Sequence, residues 1–504
     1  MPGIKRDCTQ LEGQNYQNGR WCRFTARARP KKIAGYRSVT ARLNEIARGM
    51  DSFTSDATTF VHIGSQSQVT QVQVNQDGTL GLQNDRTPVG FAPDASDLWQ
   101  FAAMHNQVDG STVLIAHAAH SLTDIANVDE TPIYYGDITG TGPLLPSGMD
   151  PVAGGIVALP PFIMAYGKGG RIDISTINDP TGPTVNSTFN ATQKVVKGLP
   201  LRGSTISAIL WSLDAVITAT FDPAATVAAG GITTFDFNTA DGESSILSEQ
   251  CVVLYDSIYY WIGVDRFLMF NGVVRELPNN MNIDYFFDHL NFAYRQKVFV
   301  MKVPRWGEIW WCFPADGATE CNHAVVYNTR LQTWFDTPLP DGGRSAGLYA
   351  KVYSKPFMCD VDLTNTGYTL WQHETGTDKV VGASSLPIPS GYDTHEISPV
   401  VLQQGAKDKA YRVSIIEPDF VQSGDIEVRV MSRANARTEQ VASDPLIITE
   451  LTPGVPASIN EQIMRFSKNA RLLSFRFESN TVGGDYEMGT TLAHIEETDG
   501  RITQ

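Results

Sequence analysis

With 504 residues the chain is long enough for two or three domains, yet only 18% of its residues are Asp, Glu, Lys or Arg. Its net charge of −15 argues against a general nucleic-acid-binding protein, which would carry a basic face. Six scattered cysteines without a Cys-x-x-Cys pair argue against a disulfide-built secreted domain, and the longest apolar run contains two prolines and is too short to span a bilayer. The first ten residues lack the apolar core of a signal peptide, so we expect a protein made in the cytoplasm without a membrane-spanning segment.

The N-terminal segment, residues 1–55, differs in charge from the rest of the chain. Residues 1–50 contain eleven Lys and Arg against three Asp and Glu, a net charge of +8. The remaining 454 residues contain 28 basic and 51 acidic residues, a net charge of −23. A basic arm on an acidic body predicts electrostatic docking on another acidic surface. The alternative is a solvated basic arm without a partner.

Two short segments have the spacing of an amphipathic helix. The first places apolar side chains at i, i+4, i+7 and i+11, namely Val39, Leu43, Ile46 and Met50. The second covers residues 282–296. We predict that both are modest helical segments within a chain that is otherwise β-structured.

From about Thr58 to residue 385 one theme recurs, a β run, a short turn, a second β run and a polar loop. About seven copies over some 320 residues give a spacing near 45, and the four-stranded blades of a β-propeller recur at roughly 40–50 residues. The sequence therefore predicts an all-β fold with a β-propeller over residues 56–385. Stacked β-sandwiches or a β-helix are the alternatives.

One of these copies, Cys251–Gly272, is crowded with apolar and aromatic residues but is too interrupted to cross a membrane. Residues 263–266 form the expected turn between its β runs, and "NGVVREL" would lead into an exposed outer strand. Strands covered on both faces can be apolar on both faces. We therefore predict that the aromatic residues of this copy and the next are mostly buried, namely Tyr260, Trp261, Phe267, Phe270, Trp310 and Trp311.

A linker-like stretch around Ser384 separates the repeats from residues 395–504, which read as a β-sandwich-like domain. Its β runs alternate between apolar and polar residues. In one of them Leu473, Phe475 and Phe477 alternate with polar residues, so they should share one buried strand face.

A search for reactive sites finds little. His105, His117 and His120 lack a nearby Cys or Asp cluster, and Cys312, Cys321 and His323 lack zinc spacing. The acidic loop around Asp360, Asp362 and Asn365 only loosely resembles a calcium site, and Gly167–Arg171 lacks the ending of a phosphate loop. No Gly-x-Ser-x-Gly elbow is present. We predict no catalytic, metal or cofactor-binding residues, although the carboxylates of a propeller glycosidase, being distant in sequence, would leave no local pattern.

Three stretches are informative together, namely Tyr16–Val39, Tyr259–Asn279 and Ala470–Arg501, about 15% of the chain. In this order they resemble tail nozzle (hub) proteins of short-tailed bacteriophages. Gly170–Pro183 also resembles a phrase common in these proteins, although an expected nearby tryptophan is absent.

The resemblance implies a virion structural protein without enzymatic activity, made in the host cytoplasm and located in the phage tail. Family members form a ring, typically of six copies, below the portal and adaptor rings, and each subunit contains a β-propeller. The ring prolongs the tail tube, retains or conducts the double-stranded DNA genome, and has tail fibre or spike proteins as further partners. The alternatives are a propeller-bearing receptor-binding or polysaccharide-degrading tail protein and an independent scaffold.

Within this family the basic N-terminal arm is expected to attach the subunit to a neighbouring ring or subunit. Arginines and lysines interleaved with aromatic residues suit an interface. The predicted assembly interface comprises Arg20, Trp21, Arg23, Phe24, Arg27, Arg29, Lys31 and Lys32. Acidic loops such as Asn238–Ser245 and Glu374–Lys379 are candidates for a channel lining on which DNA slides.

Overall fold

The computed structural model describes residues 2–9, 15–39, 42–55, 58–92, 94, 97–108, 110–119, 130–190, 192–203, 205–228, 234–361, 367–397, 410–450 and 463–498. The fold is all-β, as the repeated β runs predict. The N-terminal segment contributes four short strands before the first complete sheet, namely β1 (Asn18–Arg20), β2 (Cys22–Phe24), β3 (Pro30–Lys32) and β4 (Tyr36–Ser38).

Six four-stranded antiparallel sheets follow one another along the chain, and we number them in that order. Sheet one contains β5 (Ala47–Ser55), β6 (Thr58–Ser65), β7 (Val69–Val74) and β8 (Leu80–Asp85). Sheet two contains β9 (Leu98–Asn106), β10 (Ser111–Ala119), β11 (Ile133–Asp137) and β12 (Leu145–Pro146). Sheet three contains β13 (Gly155–Leu159), β14 (Phe162–Tyr166), β15 (Arg171–Ser175) and β16 (Thr184–Phe189).

Sheets four to six continue the pattern. Sheet four contains β17 (Val195–Pro200), β18 (Ser207–Ser212), β19 (Val216–Phe221) and, after helix α1 (Pro223–Ala228), β20 (Phe235–Asp241). Sheet five contains β21 (Val253–Tyr255), β22 (Ile258–Ile262), β23 (Phe267–Phe270) and β24 (Val274–Glu276). After helix α2 (Ile283–His289), sheet six contains β25 (Phe299–Val303), β26 (Glu308–Phe313), β27 (His323–Asn328) and β28 (Thr333–Pro338).

Sheet seven differs because part of it comes from the N-terminal segment. Its first three strands are β29 (Arg344–Ala350), β30 (Lys355–Asp360) and β31 (Leu370–His373). β4 pairs antiparallel with β31 as the fourth strand. Two further strands extend the sheet beyond β4, namely β32 (Lys379–Val381) and β33 (Ser384–Leu386).

The first strands of the sheets contact one another in sequence. Contacts join β5 to β9, β9 to β13 and β13 to β17, then β21 to β25 and β25 to β29, and β29 returns to β5. Sheets four and five are joined by the Tyr259 hydroxyl, which donates to the Pro200 carbonyl at 2.5 Å, and by the rings of Trp211 and Trp261, 5.7 Å apart. The first strand of the seventh sheet therefore lies beside the first strand of the first sheet.

The predicted aromatic core is confirmed. All six aromatic side chains are buried, namely Tyr260, Trp261, Phe267, Phe270, Trp310 and Trp311. The turn at Gly263–Arg266 is also present, since the Gly263 N–H donates to the Arg266 carbonyl. "NGVVREL" leads into β24, the fourth strand of sheet five.

The two helical predictions have opposite outcomes. Helix α2 lies within the predicted segment 282–296. The prediction of a helix over Val39–Met50 is wrong, because Leu43 bridges Tyr368 and β5 begins at Ala47. Pairing with β6 outweighs a weak helical pattern, and Gly49, whose φ is +157°, is a poor helix former.

The C-terminal region forms two sheets that share one core. The strands are β34 (Ser390–Asp393), β35 (Ala410–Ser423), β36 (Ile426–Arg433), β37 (Val441–Ala442), β38 (Leu446–Ile448), β39 (Met464–Ala470), β40 (Leu472–Ser479) and β41 (Asp485–Thr498). One sheet has the order β1-β34-β40-β36-β37, with β38 also paired to β36, and the other has the order β2-β3-β41-β35-β39. Leu473, Phe475 and Phe477 lie in the shared core, which confirms that they occupy one buried face of β40.

Candidate functional site

The predicted interface residues divide into buried and exposed groups. Trp21, Arg23, Phe24 and Lys32 are buried within the subunit, so their side chains cannot form a surface contact with another subunit, and this part of the prediction is corrected. The physical reason is that β2 and β3 are strands inside the fold rather than a free arm. The accessible members of the set are Arg20, Arg27, Arg29 and Lys31, for which an external contact stays a prediction.

Arg23 is the centre of a buried ionic cluster. Its guanidinium donates to both carboxylate oxygens of Glu374 at 2.6 and 2.7 Å and lies 3.0 Å from Glu308. The Trp306 ring stacks on the guanidinium at 4.9 Å, and Trp310 Nε1 donates to Glu308 at 2.9 Å. Burial raises the pKa of Glu308 to about 7, against the opposing effect of Arg23. The cluster ties the N-terminal segment to sheets six and seven.

The two lysines of β3 bind the C-terminal sheets. Lys31 lies 3.4 Å from Asp485 and 3.9 Å from Glu487, and its backbone pairs with that of Glu487. The buried Lys32 amine donates to the Gly484 carbonyl at 2.7 Å, and burial lowers its pKa. These contacts join residues more than 450 positions apart in the sequence.

Other basic residues of the N-terminal segment also have partners in the same chain. Arg6 forms a bidentate pair with Asp336, with donor–acceptor distances of 2.7 and 3.0 Å. Arg48 pairs in the same way with Glu320, with both distances 2.8 Å. Part of the positive charge of residues 1–50 is therefore neutralised by acidic residues of the same subunit. The composition shows that residues 1–50 are basic, but it does not show whether their acidic partners belong to the same chain or to another one.

Sequence reasoning missed the acidic half of these pairs. One signal was present at Glu308, the only charged residue of "EIWWCF" and the first residue of β26. A charge beside a fully apolar strand is rarely buried without a partner. Glu374 opens the acidic loop Glu374–Lys379, a candidate channel lining in the sequence, and its carboxylate is instead paired with Arg23.

A small polar cavity lies where the first strands of the sheets meet. Its volume is about 280 Å³, and its lining includes Asp51 of β5, Gln100 of β9, Lys197 of β17 and Lys302 of β25. Burial raises the pKa of Asp51 to about 6 and lowers the pKa of Lys197. The cavity is slightly smaller than a typical small-molecule pocket. A DNA duplex is far too wide to pass through a cavity of this size.

Beside this cavity, Glu249 is only 2% exposed, and its Oε1 has no hydrogen-bond partner among the described residues. Burial raises its pKa to about 8, and the charge of Lys197 opposes that shift. Protonation is the simplest way to accommodate such a carboxyl group away from water.

The remaining candidate residues show no assembled reactive site. His117 is buried with Nε2 near Thr131 Oγ1 and the Val152 carbonyl, whereas His105 is exposed and His120 lies outside the described residues. Asp362 and Asn365 also lie outside them. Cys312 and Cys321 are buried free thiols whose pKa values are raised by burial. Within the described ranges, no group of three or more His, Cys, Asp or Glu could hold a metal ion, and no helix is long and apolar enough to cross a membrane.

Comparison with known proteins gives no family. No protein-family model and no curated protein matches the chain. Among solved structures, the crystal structure of the computationally designed Ika8 protein matches with 11% identity and a TM-score of 0.38, covering 67% of this chain and 98% of its own. A likeness at that score carries no argument about fold or function.

Proposed function

We propose that the chain is a virion structural protein, a subunit of the tail nozzle ring of a short-tailed bacteriophage that retains or conducts the genome. In this proposal the seven sheets are the blades of a β-propeller, and β4 completes the seventh blade. The succession of contacts from β5 through β29 and back to β5 supports a closed arrangement. In a propeller each sheet packs its faces against its two neighbours, and only short strand edges remain exposed. The two C-terminal sheets form the β-sandwich-like domain.

The observation that carries the proposal is the meeting of two of the three stretches that resemble nozzle proteins. Tyr16–Val39 supplies β2 and β3, and the stretch beginning at Ala470 supplies β41, which pairs with β3 in one sheet. Parts of the chain more than 400 residues apart that resemble the same family thus form one structural unit. Such a juxtaposition is expected if the resemblance reflects a shared architecture.

In the proposed ring, DNA passes along the axis of the assembly and outside the propeller cavity of each subunit. A net charge of −23 on residues 51–504 favours a channel lining that does not capture phosphates. Asn238–Ser245 begins in the outermost strand of sheet four, and its turn exposes Gly242 and Glu243 although Ser244 is buried, so the acidic side chain of Glu243 is accessible for that role. The exposed Arg20 and Arg27 and the half-buried Arg29 are proposed to attach the subunit to the adjacent adaptor or portal ring.

Negative-stain electron microscopy of the purified protein tests the proposal. Closed rings with a central opening would support a nozzle subunit, and a monomer at all concentrations would contradict it. The same preparation incubated with host polysaccharide tests the enzymatic alternative, for which release of reducing sugar would be the positive result. Charge reversal at Arg20, Arg27 and Arg29 should leave the ring intact and weaken its attachment to the adjacent ring, most strongly at low salt.

A further inference from the structure

Charge is distributed unevenly among the seven sheets. Residues 56–190, which include β6 to β16, contain thirteen acidic residues and three basic residues. The remaining sheets are less acidic, and several of their basic residues lie in the connections at one end of the sheets. We call this end the loop face, defined by the connections from first to second and from third to fourth strands.

Hydrogen bonds between these connections show that they lie together. The Gln107 N–H of sheet two donates to the Asn178 carbonyl of sheet three at 3.0 Å. The Tyr353 hydroxyl of sheet seven donates to the Val74 carbonyl of sheet one. Lys355 Nζ, at the start of the second strand of sheet seven, donates to Thr375 Oγ1, just after its third strand, at 2.9 Å.

Six basic residues of sheets four, six and seven form one patch on the loop face. The basic patch consists of Arg202, Lys302, Arg305, Arg330, Lys351 and Lys355. Arg330 donates to the carbonyls of Pro304 and Arg305 at 2.7 and 2.8 Å, which places it on the loop that holds Arg305. Burial lowers the pKa of Lys302, and the neighbouring charges of Lys351 and Arg202 lower it further.

The cations of the patch are not neutralised within the subunit. In the part of the chain that the structure describes, none of the six side chains has a carboxylate within 4 Å. Asp256 and Glu374 are nearby acidic groups at longer range, and Glu374 is already paired with Arg23. Like charges held together without a directly paired carboxylate favour an anionic partner.

The loop face of sheets one to three carries the opposite charge. Asp77 and Asp179 lie in the connections from third to fourth strands of sheets one and three, and Asp137 is the last residue of the third strand of sheet two. Asp77 and Asp137 are exposed, and Asp179 is half-exposed. Among the described residues, the hydrogen bonds that these carboxylates accept come from their own turns, including those from Thr79, Thr139 and Thr181 respectively. The same face thus presents a basic patch on one side and an acidic sector, these three aspartates, on the other.

We propose that the loop face is a contact surface between copies of this chain, in which the basic patch of one copy packs against the acidic sector of a second copy. The inference goes beyond the proposed ring, because a self-complementary face pairs two copies about a two-fold axis, whereas a ring is closed by two different surfaces of each subunit. A surface that carries both charges is complementary to another copy of itself. Nucleic acid, by contrast, would be repelled by the acidic sector and by the net charge of −15.

Three triple variants of the full chain test the contact. The first reverses the basic patch with Arg202→Glu, Arg305→Glu and Lys351→Glu. The second reverses the acidic sector with Asp77→Lys, Asp137→Lys and Asp179→Lys. The control matched to the first variant, Arg266→Glu, Arg275→Glu and Arg437→Glu, makes the same change in net charge as that variant but away from the loop face. Self-association is measured by sedimentation velocity over a range of salt, and melting curves check that each variant is folded.

Each loop-face variant alone should associate on the order of ten to a hundred times more weakly than the wild type, and an equimolar mixture of the two should associate again. The control should behave as the wild type does. Restored association in the mixture cannot result from misfolding of either variant. These results together would establish the contact.

Three results would overturn the inference. If the wild type forms rings and the loop-face variants self-associate as strongly as the wild type does, the contact is elsewhere and the proposed function stands. If the wild type stays monomeric, both fail. If a fluorescent DNA duplex binds the wild type at low salt and not the first variant, while self-association is unchanged in both, the basic patch is a nucleic-acid surface.

Discussion

Sheet five and sheet seven are built from similar strands but by different routes. Sheet five is formed by 24 consecutive residues, Val253–Glu276, and its first turn uses Asp256 and Ser257 with φ of 47° and 68°, as a tight hairpin requires. Sheet seven is completed by β4, whose Arg37 side chain donates to Gln372, 335 residues away in the sequence. One sheet is local, and the other is closed by a distant segment.

The difference determines what stabilises each sheet. Sheet five depends on apolar contacts, including Trp261 against Trp211, which its own residues and the neighbouring sheet supply. Sheet seven depends on side chains of the N-terminal segment, such as Tyr36, whose ring packs 5.1 Å from Trp371 and 5.0 Å from His373. Bringing distant segments together costs chain entropy, so we expect the closure of sheet seven to open before sheet five unfolds.

The largest effect is expected from the local sheet. Trp261 is 0% exposed, and its Nε1 donates to the Ser245 carbonyl at 3.1 Å. Trp261→Ala should lower the free energy of unfolding by about 3–5 kcal/mol, because it leaves a cavity among aromatic rings. Urea unfolding followed by fluorescence measures the change, and Phe292→Ala, at an exposed ring, is the control. An unchanged midpoint would mean that this core is not what holds sheet five together.

A smaller loss of stability, confined to one part of the molecule, is expected where the N-terminal segment completes sheet seven. Arg23→Met leaves Glu308 and Glu374 without their cation and should cost about 3 kcal/mol, less if Glu308 takes up a proton. Hydrogen exchange should increase in residues 15–39 and 370–386 while sheet five stays protected. Arg20→Met, at an exposed arginine, should change neither the free energy of unfolding nor the hydrogen exchange of these residues. Equal loss of protection in sheets five and seven would show that the two sheets unfold as one unit.

The stability that the Arg23 cluster contributes to sheet seven should also depend on pH. Because burial raises the pKa of Glu308 to about 7, its contribution to stability is complete below its ordinary pKa near 4.5 and is lost as pH rises through 7. Compared with Glu308→Gln, the wild type should lose on the order of 2–3 kcal/mol between pH 4.5 and 8. His62, whose pKa burial lowers to about 3, acts in the opposite direction in both proteins and cancels in the comparison. A constant difference between the two stability curves would contradict the assignment.

The same contrast explains what could be predicted from the sequence. The turn at Gly263–Arg266 and the buried face of Leu473, Phe475 and Phe477 follow from local alternation, and both are present. The prediction of a helix over Val39–Met50 fails where β5 begins at Ala47, because pairing with β6, rather than the spacing of the segment's own apolar residues, decides the conformation there. The Arg23 cluster could not be predicted, since its acidic partners are separated from it by hundreds of residues and no local pattern links them.

The smallest effect is expected where β3 joins the C-terminal sheets. Lys31 is partly exposed, and its pairs with Asp485 and Glu487 lie at 3.4 and 3.9 Å in partly exposed surroundings, so solvent screens them. Lys31→Ala should therefore cost only about 0.2–1 kcal/mol, and a double-mutant cycle with Glu487→Ala should give a coupling energy within that range. Substituting the buried Lys32 by Met, which removes its hydrogen bond to Gly484, should cost more. If Lys31→Ala destabilised the protein as much as Arg23→Met, surface charge rather than buried contacts would hold the N-terminal segment in place, and the closure of sheet seven would weaken with added salt.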